Sequence, residues 1–309
     1  MWVRDIDRFH VSNKKINTKK FLLKRLNQSF KHIEDSYLKF NKYISEGRSL
    51  PKGTDWLLDN FYIIELVYKE LRANIRKDEK LLLNIVESGN YKGFPRIYAL
   101  SLDLISNGSG NITEENLIEF IENFQREEVL SLEEIFQFSK FLALGLMEYI
   151  ESISLKLLKT IESWARMEER DLSIEYNLEE IIANVGTMDS IEIERLVRKV
   201  REEREDFQTI LERIDKRLDY LGRSIKVILE KEYMIQSKYK ISLGYGITSL
   251  RNISAFNWEG IFRKVSIVEQ VLNEDPLKIY STMDSGSKDY YRHNVQELAK
   301  KFNVQEIFL

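Results

Sequence analysis

The chain has 309 residues, 43% apolar and 31% charged, with 47 Lys+Arg against 50 Asp+Glu and a formal net charge of −3. That is the composition of a folded globular protein with enough chain for one large core or two modest ones. It lacks the basic excess with which nucleic-acid binders neutralise phosphates. Cysteine is absent, which excludes disulfides, thiolate nucleophiles and thiolate metal sites and is compatible with a reducing compartment.

Only three prolines (Pro51, Pro95, Pro276) and 13 glycines interrupt the sequence, so few helix breaks are enforced and long helices are expected. The opening MWVRDIDRFHVSNKK has no apolar run and is read as no signal peptide. From residue 18 to 45, Phe21, Leu22, Leu26, Phe30, Ile33, Tyr37, Phe40 and Ile44 form one helical stripe stopped at Gly47. The Pro51-Lys52-Gly53-Thr54 turn opens a second helix, to about Arg76, with Asp55 and Asp59 suited to its positive end. A shorter helix is expected from Asp78 to Ser88-Gly89.

Pro95 suits the start of the next helix, which ends in the turn Ser106-Asn107-Gly108-Ser109-Gly110. Thr113 caps another short helix. Ser131 and Glu134 make a capping box opening a helix of about 40 residues to Arg170, far beyond the usual length of roughly 11–12. It contains the most apolar stretch, FLALGLM at 141–147, much shorter than the roughly 20 residues that cross a bilayer. No membrane span is expected.

A short helix follows at about 177–185, stopped at Gly186. Asp189 then caps a highly charged helix, read as a solvated face with Arg195, Arg198, Lys199, Arg201 and Arg204 among as many acids. Leu211, Ile214, Leu218, Leu221, Ile225 and Ile228 alternate three- and four-residue steps, a heptad seam. The segment 206–240 is thus expected as a second long helix, antiparallel to the one at 131–170. Residues after Lys240 read as irregular, with short helices at about 258–272, 276–283 and 288–302. No run alternates β-branched residues, so no sheet is predicted. The expected fold is all-α, an irregular multi-helix bundle divided at 1–130, 131–245 and 246–309.

The three histidines (His10, His32, His293) are scattered, and His293 with Glu297 is read as a solvated helix face. There is no P-loop, GxGxxG or GxSxG, and Gly244–Gly246 reads as a flexible turn. The carboxylate pairs Asp55/Asp59 and Asp284/Asp289 invite comparison with glycosidases, but helix capping explains them. The expectation is no catalytic residue, no metal and no cofactor. Trp56, Phe61, Tyr62, Phe256, Trp258, Tyr280, Tyr290 and Tyr291 could stack on sugar rings, although aromatics at helical spacing more often form core.

Three stretches resemble the N-terminal region of cyclic β-1,2-glucan synthases: LPKGTDWLLDNFYIIE at 50–65, GFPRIYALSLDLI at 93–105, and SLRNISAFNWEGIFRKVSIVEQVLNEDPLKIYSTMDSGSKDYYRHNVQELA at 249–299. The last is the most specific, with the order SLR, W, VS-VE-L, DP, Y, MD and YRH. It departs from the family at Asn257-Trp258, where aspartate-tryptophan is usual, and at Ser285-Gly286-Ser287-Lys288. The resemblance implies a very large inner-membrane enzyme that polymerises glucose from UDP-glucose in a transferase domain, cyclises the product and trims it with a phosphorylase-like domain. It places this region before the first membrane segments, on the cytoplasmic side of a bacterial inner membrane.

Nothing in the chain matches the transferase's acidic metal motif or the phosphorylase's acid, and residues 304–309 read as the beginning of another helix, as in a piece of a longer polypeptide. The resemblance therefore implies a non-catalytic helical domain whose partners are downstream domains of the same polypeptide, with β-glucan a further candidate partner. Trp56, Tyr62, Arg251, Trp258, Tyr280, Tyr291 and Arg292 are its candidate sugar-contacting or structural residues. A carbohydrate-binding module and an interaction scaffold built on the 206–240 seam are the alternatives.

Overall fold

The computed structural model describes residues 9–78, 82–302 and 304–309. Residues 1–8, on which the signal-peptide reading begins, lie outside them. The chain is mostly α-helical: α1 (Thr18–Ser45), α2 (Thr54–Lys77), α3 (Arg96–Asn107), α4 (Glu114–Gln125), α5 (Leu132–Glu168), α6 (Glu175–Asn184), α7 (Ser190–Glu203), α8 (Phe207–Asp219), α9 (Ile225–Ile253), α10 (Trp258–Val265), α11 (Ile267–Asn273), α12 (Ile279–Thr282) and α13 (Ser285–Phe302).

Contrary to the sequence expectation, there is a small sheet. Strands β1 (Val11–Asn17) and β2 (Leu82–Val86) pair antiparallel, with Val11 opposite Val86 and Asn17 opposite Leu82. The register shifts between Val11 and Lys15, so a bulge breaks the two-residue alternation by which a strand is read. Residues 82–86, expected within a helix, instead bury Leu83 and Val86 on this strand. Residues 79–81 of that expected helix lie outside the described residues.

The chain forms two compact units that interleave in sequence: one comprises Met1–Phe30, Tyr62–Tyr149 and Tyr245–Leu309, the other Lys31–Phe61 and Ile150–Gly244. The first unit has an aromatic core in which Phe9, Tyr98, Phe120, Phe124, Phe138 and Phe141 are all at most 1% exposed. Here local signals behave as read. Thr113 accepts from the Asn116 amide to cap α4. The Ser131/Glu134 capping box forms in both directions, Glu134 N donating to Ser131 Oγ at 3.2 Å and Ser131 N to Glu134 Oε2 at 3.0 Å.

The second unit is centred on Leu172, Leu178, Ile193, Leu196, Val200, Ile214 and Leu218. The seam residues Ile214, Leu218, Ile225 and Ile228 are buried in this core, but no single helix carries them. The expected helix over 206–240 is split: α8 ends at Asp219, Gly222 takes a positive φ of 69°, and Arg223 N donates back to Leu218 O at 2.9 Å. Such a reversal favours a residue without Cβ. Asp215 Oδ1 then accepts from Ile225 N at the start of α9. The period marked most of what is buried and said nothing about continuity, and Leu221, also on the seam, is 47% exposed.

The irregular reading after Lys240 is also corrected, since α9 continues to Ile253 through Gly244–Gly246. Gly244 serves close packing, not a turn: a Cβ there would lie 3.1 Å from the Trp56 indole. The charged helix α7 is not solvated all round. Arg195 and Lys199 are buried, and Lys199 Nζ donates to the carbonyls of Met167, Glu168 and Arg170 at 3.3, 2.7 and 2.5 Å. It thereby satisfies acceptors that the end of α5 leaves without intrahelical donors.

Gly53 opens α2 at φ +102°, where an added Cβ would stand 2.9 Å from the Lys240 Cα. Both the conformation and the backbone contact oppose a side chain. Gly53→Ala is therefore expected to cost more than about 1 kcal/mol, read as a lowered urea midpoint. An unchanged midpoint would show that the turn yields freely.

Candidate functional site

The stretch with the most specific resemblance folds into four short steps. Asn257 Oδ1 accepts from Gly260 N at 2.9 Å to cap α10, a role that aspartate fills equally well. Ser266 Oγ accepts from Glu269 N at 3.1 Å to cap α11. Asp275 then accepts from the amides of Leu277 and Ile279 at 3.0 and 2.8 Å, turning the chain into α12. Asp284 accepts from Ser287 N at 3.0 Å at the start of α13.

These caps bring three motif side chains together. Glu269, 1% exposed, receives Arg292 Nε on Oε2 at 2.8 Å and Arg292 Nη2 on Oε1 at 2.9 Å. The Tyr280 hydroxyl donates to Oε2 at 2.8 Å. Arg292 Nη1 turns to Asp289 at 2.7 Å, and its guanidinium lies 4.8 Å from the Phe262 ring centroid. Phe262 in turn stacks on Phe136 at 4.5 Å.

Electrostatically the group is settled. Burial works against the charged form of Glu269, but hydrogen bonds from Arg292 and Tyr280 outweigh it and hold the carboxyl below its ordinary pKa. Burial, then the hydrogen bond to Glu269, pushes the Tyr280 phenol up to about 12. Burial opposes the Arg292 charge, yet Glu269 overrides it and raises the guanidinium pKa. Three donors hold one carboxylate, and the phenol keeps its proton at neutral pH. This is the chemistry of a lock between α11, α12 and α13, with no base poised to take a proton.

Of the sequence-read residues, the structure joins Tyr280 and Arg292 through Glu269 and sets Tyr291 beside them, its ring 6.0 Å from that of Tyr280 at a near-right angle. Trp258 is held apart by its indole N–H, which donates to Ile253 O at 2.9 Å. Arg251 is exposed on α9 and Tyr62 is 65% exposed on α2. Trp56 belongs to the second unit, against Gly244. Sequence reasoning missed Glu269. Its signal was Ser266-Ile267-Val268-Glu269, a capping-box pattern whose backbone half forms while the glutamate side chain goes to Arg292.

The motif at 93–105 works in the same way. Arg96, buried, gives Nε and Nη2 to Glu134 at 2.9 and 2.6 Å and Nη1 to Glu128 at 2.6 Å. Tyr98 donates to Glu148, which also receives Arg25 Nε at 2.5 Å. The Arg25 guanidinium stands 5.6, 5.3 and 5.1 Å from the rings of Phe21, Phe94 and Tyr98. In the motif at 50–65, Thr54 Oγ1 donates to Pro51 O at 2.9 Å at the turn before α2. Among the described residues no three His, Asp or Glu side chains cluster to hold a metal ion, and no helix is long and apolar enough to cross a membrane.

Comparison with known proteins gives this largely helical chain a context. No family model matches the chain. It is 24% identical over 271 residues to the cyclic beta-(1,2)-glucan synthase NdvB of Rhizobium meliloti (strain 1021), a match covering 85% of this chain. The resemblance read from the three motifs thus extends over most of the sequence. The chain spans only 9% of that relative's length.

Proposed function

We propose that this chain is a non-catalytic helical part of a cyclic β-1,2-glucan synthase, bracing the portion of the polypeptide that polymerises glucose from UDP-glucose. The observation that carries the reading is what the matching motifs are used for. Arg96, Glu269, Tyr280 and Arg292 are spent on buried contacts with other side chains of the chain, so the resemblance rests on residues that make the fold. A segment that supports a larger enzyme is under that demand, whereas a transferase site needs acidic groups turned towards a metal-bound sugar nucleotide. The bracing segment would lie on the cytoplasmic side of the membrane that holds the remainder.

The purified chain, incubated with UDP-glucose and a divalent cation, is expected to release no UDP above the protein-free blank and to transfer no glucose. Turnover that rises with protein concentration, and survives repurification, would overturn the reading.

A further inference from the structure

Within the second unit, α9 is covered along one side only. Ile228, Glu232, Gln236 and Leu243 are buried and share one face of the helix. On the opposite face Val227, Met234 and Ile241 are 62%, 66% and 55% exposed. This is not the seam read from the sequence, whose Ile225 and Ile228 turn to the core. The three recur every seven residues, nearly two turns, and so drift round the helix by only about 20° per step. They form a single file about 21 Å long, at a rise of about 1.5 Å per residue. Large apolar side chains aligned on the outside of a helix leave in water an area that a partner would cover.

The charges beside this file are almost all of one sign. Among residues 226–241 the exposed charged side chains are Lys226, Lys231, Lys238 and Lys240 against Glu230 alone, on a chain whose net charge is −3. Lys231 and Lys238, each four residues on from a member of the file, lie along its edge. Lys240 pairs with Asp55 at 3.3 Å, while Lys226, Lys231 and Lys238 make no ion pair among the described residues. Lys52 adds a further positive charge, its Nζ 3.8 Å from the centroid of the exposed Tyr233 ring.

We propose that this face of α9 docks an acidic amphipathic helix of a partner protein, with apolar side chains of the partner seated between Val227, Met234 and Ile241 and its carboxylates paired with Lys231 and Lys238. The repeat decides for a helix, because a seven-residue file is what a second helix crossing at about 20° follows over several turns. A membrane surface is disfavoured: the apolar face by which a surface helix is buried is at least about 100° wide, whereas this file covers about 40°. A second copy is disfavoured too, since it would set lysine against lysine. The proposal uses this unit alone and stands whether or not the chain turns over UDP-glucose.

The test titrates the intact chain into a labelled three-heptad peptide carrying Leu at positions a and d and Glu at e and g, and into its counterpart carrying Lys at e and g. Fluorescence anisotropy is expected to show saturable binding of the acidic peptide and none of the basic one. Lys231→Glu combined with Lys238→Glu should weaken the acidic peptide by more than about tenfold and turn the preference to the basic one. Met234→Glu, at a position in solvent, should abolish binding with the helical circular dichroism retained. No binding of the acidic peptide, equal binding of both, or binding that survives Met234→Glu would each overturn the proposal. So would tighter binding to phosphatidylserine vesicles than to the acidic peptide, or a dimer of the chain that Met234→Glu dissociates.

Discussion

Replacing Arg292 with Met is expected to destabilise the first unit by about 3–5 kcal/mol, the cost of leaving one member of a buried ion pair without its partner. Glu269 is 1% exposed and receives two of its three hydrogen bonds from this guanidinium. With a urea slope of about 2–3 kcal/mol per molar, the midpoint should fall by about 1–2 M. Amides of α11 and α13 should lose hydrogen-exchange protection first, since Arg292 joins these helices. The pH dependence gives a sharper test. In the native protein Glu269 is held below its ordinary pKa, so its contribution is present above the unfolded value and is lost as pH falls through the folded one. In Arg292→Met the guanidinium no longer opposes burial, only the Tyr280 hydrogen bond and the Lys288 charge do, and the Glu269 pKa rises from its native position. The variant's deficit should therefore shrink as pH falls from neutral towards 4.

Adding Glu269→Gln separates this account from a general packing loss. The double variant keeps an acceptor for the Tyr280 hydroxyl but buries no charge, so it should recover part of the stability lost in Arg292→Met. Deficits that simply add in the double variant, with no narrowing at low pH, would sink the explanation.

The second large effect is expected at Arg96. Its guanidinium forks onto Glu134 and also reaches Glu128 and the Val129 carbonyl. Glu134 is 6% exposed and at the same time closes the capping box that starts α5. Burial opposes its charge, but Arg96 and then Ser131 hold its pKa below the ordinary value. Arg96→Ala strands this carboxylate and is expected to cost about 3–5 kcal/mol. Arg96→Lys keeps the charge but cannot serve both carboxylates through a rigid fork, and should fall between native and alanine. Urea unfolding of the three proteins checks the order, and exchange at the first amides of α5 checks the location. Equal midpoints for native and Arg96→Ala would show that Glu134 finds solvent or another donor at little cost.

These two guanidiniums also mark where sequence reading ended. Arg96 and Arg292 were visible as motif members, but their partners stand 38 and 23 residues away, and 50 acidic residues offer too many possible mates. Arg195 and Lys199 were read as solvated because α7 is so highly charged. Their burial follows from where the last turn of α5 ends, which no periodicity of α7 contains. The seam over 211–228 shows the same limit: its apolar spacing marked four buried residues, while Gly222 turned the expected helix into two and Leu221 was left exposed.

What the sequence by itself determined is local. Few prolines, helical apolar spacing and the capping patterns at Thr113, Ser131 and Asp189 specified a mostly helical chain and several helix starts, because a cap and its helix lie within four residues of each other. Only the tertiary structure decided the rest. The β1–β2 pair joins residues some 70 positions apart across a bulge, the two units draw on interleaved segments, and Glu269 became a buried anchor. Each of these depends on which distant groups the folded chain brings into contact, where burial makes an unpartnered charge or amide costly.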